Sequence, residues 1–308
     1  MKLLTNKWLL LIFGLILWTA VGIALFAGRE NVATSGPDTS GVPERIVCTT
    51  PNLAEIVFAL GIGGRLVGVP DSCKHPAEVA DVPKIGSFWT PSIEPIIARQ
   101  PDLIITLNFP QQKQLAARLD RLRYATLAVS IETIEEFYSA VNRIGQATDT
   151  QPQAEKLTEG LKTRIEDFAK RMTTETNPKV LWVVQRNPLR VAGTDTFIND
   201  LVELAGGTNA IGKTDYQYPP IGSEQVYSLS PDVIIEPAMD GGDLDAQYAE
   251  AVKYWSKFDI PAVTDRHIYV IEADSVSQLG PRLFEGLEAV GRCVKPELFE
   301  NTKSTEDE

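Results

Sequence analysis

The chain has 308 residues, of which 44% are hydrophobic and 23% charged, and its formal net charge is -12. This composition is typical of a globular protein, and it excludes a fibrous chain, a wholly disordered chain and a many-span membrane protein. The negative charge would repel a phosphate backbone, which argues against nucleic-acid binding. With 3 cysteines and 2 histidines, a disulfide-dense scaffold, a four-thiolate zinc site and a histidine-rich metal cage are also excluded.

The amino-terminal segment, residues 1–28, predicts a membrane anchor or an export signal. Lys2 and Lys7 precede an uncharged, mostly apolar run from Trp8 to Ala27, and a run of about 20 such residues can cross a bilayer as a helix. The segment around Ala27 is a poor signal-peptidase site, which favours an uncleaved anchor over a cleaved signal. The lysines stay inside, so the remainder is expected on the periplasmic or extracytoplasmic face. It would be tethered to the inner membrane by residues 8–27, or secreted if cleaved.

Residues 29–44 are rich in Gly, Pro and Ser and predict a flexible tether, and residues 300–308 predict a solvated acidic tail. Between them, strand and helix patterns alternate. The predicted strands are 45–49, 66–69, 103–107, 126–129, 179–185, 232–236 and 268–271. The predicted helices are 52–60, 93–99, 111–123, 134–147, 197–204, 246–258 and 283–294, with a short helix around Val226.

One further helix, from Pro152 to about Met172, would span roughly 30 Å at 1.5 Å per residue, enough to join two lobes. The alternation around it indicates mostly parallel sheets covered by helices. The sequence therefore predicts an α/β fold of two Rossmann-like lobes. The first lobe would occupy residues 45–150, the bridging helix 151–177 and the second lobe 178–299.

The two predicted lobes repeat each other weakly. IARQPDLII at 97–105 parallels YSLSPDVII at 227–235. Glu94 and Glu224 lie at the same distance before the proline of each segment, and Ser92 and Ser223 are expected to cap the short helices that carry them. This spacing predicts two related lobes with the glutamates at equivalent positions.

Motifs that carry catalysis are missing from the sequence. It contains neither a P-loop nor a nucleophile elbow, and His75 and His267 lack partners at triad-like or metal-like spacing. The glycine-rich run 61–64 follows a predicted helix and not a strand, so it indicates a turn and not a phosphate-binding loop. We therefore expect neither catalytic residues, a metal site nor a catalytic cofactor.

Polar and aromatic side chains cluster instead in the loops expected at the carboxyl ends of the strands, where such folds bind ligands. The candidate ligand-binding residues are Ser72, Phe88, Trp89, Asn187, Arg190, Tyr218, Asp274 and Gln278. Adjacent aromatic residues in a loop either fill the core of their own lobe or form the wall of a ligand site.

Several segments carry a family resemblance. They are RIVCTTPNLAEIVFALGIGGRLVGV and DSCKHPAEVADVPKIGSFWTPSIEPIIARQPDLII in the first lobe, and NPLRVAGTDTFINDLVELAGGTNAI and YPPIGSEQVYSLSPDVII in the second. From Arg45 to about Glu300 the chain resembles the periplasmic iron–siderophore and cobalamin-binding proteins of ABC importers, and the cobalamin branch most. The resemblance implies a class III solute-binding protein, with two α/β lobes, one rigid bridging helix and the ligand between the lobes.

Carried over by position, the resemblance places corrin-stacking aromatics on Phe88, beside Trp89, and on Tyr218. Two further aromatic positions of the family hold Ser72 and Arg190 here. Asp274 matches a polar ligand contact, and a neighbouring arginine position holds Gln278. The pattern implies a corrinoid site with a different lining, and ferric siderophores and heme stay open as ligands. Arg190 and Arg282 would either bind an anionic ligand or form ordinary surface charges and salt bridges.

The resemblance implies a protein that captures cobalamin or another corrinoid and delivers it to an ABC permease dimer. Glu94 and Glu224 would each dock onto arginines of one permease subunit. A chelatase-like or corrinoid-processing enzyme is a further alternative, although the sequence offers no convergent nucleophile or base.

Some relatives pair a cysteine in the helix before AGG with one in the last helix, and the first position holds Ala205 here. We therefore expect Cys293 to be an unpaired buried thiol. The pairing of Cys48 with Cys73 stays open.

Overall fold

A computed structural model describes residues 41–238 and 242–300. The predicted anchor, residues 29–40 of the tether and residues 301–308 of the tail lie outside the described residues. The first lobe contains four parallel strands in the order β2-β1-β3-β4. These strands are β1 Ile46–Cys48, β2 Leu66–Gly68, β3 Leu103–Leu107 and β4 Thr126–Val129. Its α-helices are α1 Pro51–Ala59, α2 Ile93–Ile97, α3 Pro110–Arg121 and α4 Ile134–Thr148, and short 3-10 helices cover Gly63–Arg65 and Ala77–Asp81.

Helix α5, Gln151–Met172, leads into the second lobe. The strands of that lobe are β5 Lys179–Arg186, β6 Leu189–Val191, β7 Thr208–Asn209, β8 Val233–Pro237 and β9 Ile268–Ile271. They run in the order β6-β5-β8-β9, with β7 also paired to β5, and every pair is parallel except β5 with β6. Its helices are α6 Phe197–Leu204, α7 Ser223–Leu229, α8 Leu244–Trp255, α9 Pro261–Thr264, α10 Leu283–Val294 and α11 Glu297–Glu300.

The predicted fold class is confirmed, and β3, β4, β9, α6 and α10 have the bounds that the sequence predicts. Strands β6 and β7, helices α9 and α11 and both 3-10 helices were not predicted from the sequence. These elements are two to five residues long, and segments of that length are too short to show a period of hydrophobic residues.

The predicted repeat has the same structural role in both lobes. The Asp102 carboxylate accepts the backbone N–H of Arg45 at 2.9 Å, and the Asp232 carboxylate accepts that of Lys179 at 2.8 Å. Arg45 directly precedes β1, the first strand of its lobe in the chain, and Lys179 is the first residue of β5. The residue two positions before each aspartate has a positive φ, 49° in one lobe and 46° in the other. Both lobes thus anchor their first strand in the same way.

Helix α5 is fixed to both lobes. At its first-lobe end, a Cβ on Gly145 would lie 2.6 Å from the Ala154 side chain, so this glycine allows α4 and α5 to pack closely. At the other end, the buried Lys295 ammonium donates to the Met172 carbonyl and the Thr174 hydroxyl, both at 2.7 Å. A cation at this position satisfies a carbonyl that the helix leaves without a partner and complements the helix dipole.

Because a continuous helix bends only by breaking backbone hydrogen bonds, we expect ligand binding to change the angle between the lobes little. Small-angle X-ray scattering curves recorded with and without ligand should superpose. A clear compaction on ligand addition would show that the bridging helix acts as a hinge.

Candidate functional site

The two lobes contact each other at a seam formed by the loop after β9, residues 273–282. In this loop, the carbonyl of Leu279 accepts a hydrogen bond from the Asn52 amide at 3.0 Å, and Arg282 donates twice to Glu55, each time at 3.2 Å. Val276 and Leu279 are buried. The contacted helix α1 follows β1, and the loop follows β9, so the carboxyl ends of the strands of both lobes are directed toward the same seam. This is the edge at which open α/β sheets bind ligands.

The ion pair across the seam is shielded from solvent. The side chain of Glu55 is 8% exposed and that of Arg282 is 22% exposed. Burial opposes the charge of Arg282, but hydrogen bonding to Glu55 and the charge of Glu55 raise the pKa of Arg282 overall. Paired hydrogen bonds from one guanidinium to one carboxylate fix the geometry as well as the charge. Of the two roles considered for Arg282, the structure favours a structural salt bridge over a ligand contact.

Aromatic side chains form a wall on the first-lobe side. The ring centroids of Phe88 and Trp89 lie 4.6 Å apart, and those of Trp89 and Phe109 lie 6.4 Å apart. Trp89 is 63% exposed, whereas Phe88 and Phe109 are half-buried. The buried amide of Gln112 donates to the Phe88 carbonyl at 3.0 Å and holds this loop against α3. The wall therefore presents apolar surface to solvent from a fixed loop.

On the second-lobe side, residues 217–221 pair with the edge of β6 that does not contact β5. Backbone N–H groups of Val191 and Gly193 donate to the carbonyls of Pro219 and Gln217 at 3.2 and 2.7 Å. Arg190 donates through Nη1 to the Tyr218 carbonyl at 3.1 Å. Tyr218 is half-buried, and burial raises the pKa of its hydroxyl. Arg190 and Tyr218 are therefore neighbours near the carboxyl end of β5.

The other candidate residues lie at the seam or at a turn. The Asp274 carboxylate is 3.5 Å from the His75 ring nitrogen and 3.9 Å from the Lys74 ammonium. All three side chains are partly exposed, so these contacts are weak individually.

Ser72 is exposed in the same loop as Lys74 and His75, and Gln278 is half-buried in the seam loop. Asn187 is exposed in the β5–β6 turn, where its carbonyl accepts a hydrogen bond from Gln185 at 2.6 Å. Asp274 and Gln278 thus share the seam loop, whereas Asn187 stands apart from them in the second lobe.

Two sizeable cavities differ in their position relative to the strands. A cavity of about 620 Å³ lies at the carboxyl ends of β5, β8 and β9. A larger one of about 800 Å³ lies along the bridging helix, and its lining includes Glu135, Glu166, Asp200 and Glu203. We place the site at the strand ends because the seam loop follows β9 and Phe109 of the aromatic wall lies two residues after β3, although the larger cavity lies elsewhere.

Several residues of the site were not predicted from the sequence. Phe109 lies two residues after β3 and directly before α3, and this position between a strand and a helix was the available signal. Glu55 lies inside an otherwise apolar helix, 227 residues from its partner Arg282, so spacing gives no indication of their contact. Glu236 lies within β8, where it pairs with Arg186 at 2.8 Å.

The cysteines of the described chain are free and buried. Burial raises the pKa of Cys73 and of Cys293 to about 12, so both stay protonated near neutral pH and react slowly. Residues 41–238 and 242–300 hold no group of three or more His, Cys, Asp or Glu residues suited to a metal ion. The helices in this part of the chain are also too short or too polar to cross a membrane.

The predicted docking glutamates are exposed on opposite lobes. Glu94 lies in the first turn of α2, where the Ser92 hydroxyl donates to its carboxylate and lowers the pKa of that group. Glu224 lies in the first turn of α7. The prediction of serine caps is wrong in detail: Ser92 holds the cap position but bonds to Glu94, and Gly222 holds the cap position before Ser223.

The chain belongs to the periplasmic binding protein family, whose profile matches residues 46–275. An uncharacterized ABC transporter substrate-binding lipoprotein of Bacillus subtilis is 28% identical, over 83% of this chain and 82% of its own. A vitamin B12-binding protein of Vibrio parahaemolyticus is 22% identical, over 84% of this chain and 90% of its own.

Among solved structures, a periplasmic heme-binding protein of Roseiflexus sp. RS-1 has a TM-score of 0.72 at 25% identity, with 83% of this chain and 99% of the other covered. The periplasmic vitamin B12-binding protein of Vibrio cholerae has a TM-score of 0.68 at 21% identity, with 84% and 98% covered. The chain is thus a periplasmic solute-binding protein of the ABC importer class, and its relatives include vitamin B12- and heme-binding proteins.

Replacing Glu55 tests the seam. Glu55→Ala leaves Arg282 with an uncompensated, partly buried charge, and we expect the free energy of unfolding to fall by about 2–4 kcal/mol. Urea denaturation measures this change. The control is Lys170→Ala, which removes an exposed pair with Asp167 at 3.2 Å and should cost less than about 1 kcal/mol. Equal losses in the two variants would contradict a structural role for the seam pair.

Proposed function

We propose that the chain captures cobalamin or a related corrinoid between its lobes and delivers it to an ABC permease. The observation that carries the proposal is the placement of aromatic side chains at the strand ends of both lobes. Phe88 and Trp89 belong to the first lobe, and Tyr218 belongs to the second. A flat macrocycle can stack on such side chains and bury apolar area without covalent chemistry.

Relatives support the same ligand class. Vitamin B12-binding proteins of several Vibrio strains match more than four fifths of the chain. The family consists of binding proteins, so an enzymatic role such as a chelatase has less support.

We also propose that residues 8–27 tether the protein to the membrane, and the lipoprotein relative supports a surface-attached form.

A heme or ferric-siderophore ligand is the second candidate. One side chain favours it: Arg190 is exposed, and its hydrogen bond goes to the Tyr218 carbonyl and not to a carboxylate. A guanidinium in this position can bind a ligand carboxylate. Heme-binding proteins also appear among the solved structures of similar fold.

The two candidates are separated by titrating the protein with cobalamin, cobinamide, heme and a ferric siderophore and following tryptophan fluorescence. The proposal predicts saturable binding of the corrinoids. Saturable binding of heme or siderophore with no response to either corrinoid would support the second candidate and overturn the first.

The aromatic wall should contribute directly to affinity. Phe88→Ala and Tyr218→Ala are each expected to weaken corrinoid binding by about 1–3 kcal/mol, because stacking and apolar burial are lost. Calorimetric titration measures the change, and Trp89→Ala shows which ring of the loop faces the ligand. Unchanged affinity in both variants, with the fold intact by circular dichroism, would place the ligand elsewhere.

Docking to the permease should depend on Glu94 and Glu224. Exposed carboxylates, one on each lobe, suit arginines of a two-fold symmetric partner. We expect the Glu94→Ala, Glu224→Ala double variant to bind ligand normally but to lose capture by the cognate permease in a pull-down. Normal capture would reduce both glutamates to charges that complement helix dipoles, and lost ligand binding would place them in the cleft.

A further inference from the structure

The cavity of about 620 Å³ in the second lobe occupies a position at which α/β folds bind ligands. It lies where β5 and β8 are adjacent, and the chain continues from β5 to one side of the sheet and from β8 to the other. This is the topological switch point of the second sheet, and the crevice at its carboxyl end is the expected ligand position. The same strand ends are directed toward the seam between the lobes.

The only cation among the described lining residues of this cavity is already compensated. Arg186 donates to one oxygen of Glu236 at 2.8 Å, and the Trp255 indole donates to the other at 2.6 Å. The Glu236 side chain is 7% exposed, and the Arg186 guanidinium also lies 5.9 Å from the Tyr254 ring centroid. The positive charge of Arg186 is therefore held by a buried carboxylate and is poorly available to an anionic ligand.

A further carboxylate makes the cavity net negative. Glu250, on α8, lines the opening and is exposed. Together with the compensated pair of Arg186 and Glu236, it leaves one net negative charge on the described lining residues. A ligand carboxylate entering here would lose its hydration shell beside a like charge, which is unfavourable.

Amide side chains supply the remaining polar contacts. Gln185, Asn187 and Gln247 line the cavity, and the hydrogen bond from Gln185 to the Asn187 carbonyl, at 2.6 Å, ties the first two together. Each primary amide offers hydrogen-bond donors and an acceptor. It therefore complements another primary amide fully, whereas an ionised carboxylate can use only its donors. Val183, Val184 and Val270 complete the lining with apolar surface.

We propose that this cavity is the subsite that receives the uncharged, amide-bearing rim of the ligand, and that Glu236 and Glu250 make it discriminate against carboxylate rims. The inference rests on the proposed corrinoid function and adds its chemical selectivity. The seam is consistent with it, because Arg282 is paired with Glu55, and Asp274 lies near both Lys74 and His75. The subsite selects neutral amides because a carboxylate bound there would have a less favourable binding free energy.

Two probes with the same macrocycle test the inference. Dicyanocobinamide carries amides around the ring, and dicyanocobyrinic acid carries carboxylates. We expect the wild-type protein to bind the amide form at least about tenfold more tightly, at near-physiological salt. The whole chain is acidic, so the ratio of cobinamide affinity to cobyrinic acid affinity does not by itself identify the subsite. This ratio is therefore measured for the wild-type protein and for charge variants.

Glu250→Lys should raise the affinity for cobyrinic acid relative to that for cobinamide, and so narrow the ratio of the two affinities by about threefold or more. Glu135→Lys is the matched control: it changes the net charge equally, but Glu135 lines the larger cavity along the bridging helix, and it should leave the ratio near the wild-type value. Glu236→Gln should also narrow the ratio. Glu236 is buried, so its replacement also alters the fold's own contacts, and the exposed Glu250 is the deciding variant.

Failure of the inference is distinguishable from failure of the proposed function. If cobinamide binds but Glu250→Lys and Glu135→Lys change the ratio equally, the function stands and the subsite is refuted. If neither corrinoid binds the wild-type protein, the proposed function is wrong and the subsite falls with it.

Discussion

The contact between the two lobes at the seam centres on one partly buried ion pair, Glu55 with Arg282. A single helix joins lobes in sequence but does not by itself set how they face each other. The seam loop supplies the second connection, because it leaves one sheet and packs on the first helix of the other lobe. Removing either charge would leave its partner uncompensated, and this cost keeps the seam closed. The cleft is therefore largely preformed, which lowers the entropic cost of binding a rigid ligand.

The chemistry of the cleft follows from the same pairing of charges. The guanidinium groups of Arg186 and Arg282 each meet a carboxylate of the protein itself, at 2.8 and 3.2 Å. What the described residues leave for a ligand is aromatic surface and amides, with Arg190 as an exposed cation at the edge. Aromatic surface of this kind can stack on a flat molecule.

The sequence predicted the architecture well because that architecture depends on periodic apolar residues. The runs that form β3 and β9, and the spacing within the bridging helix, are local signals. The repeated Ser-Pro-Asp and Gln-Pro-Asp segments likewise indicated two related lobes, and Asp102 and Asp232 now explain why. The site was less predictable, since Glu55 and Arg282 meet through tertiary packing alone. Local sequence also gave no reason to expect that Ser223 would lie inside its helix and not before it.

A crystal structure of the protein with bound cobinamide tests the account most directly. The account predicts the corrin ring between Phe88 and Tyr218, its amide rim against Gln185 and Asn187, and the Glu55–Arg282 pair intact. A ring bound instead in the cavity of about 800 Å³ along the bridging helix would contradict it. A bound structure in which the Glu55–Arg282 pair is broken would also contradict it.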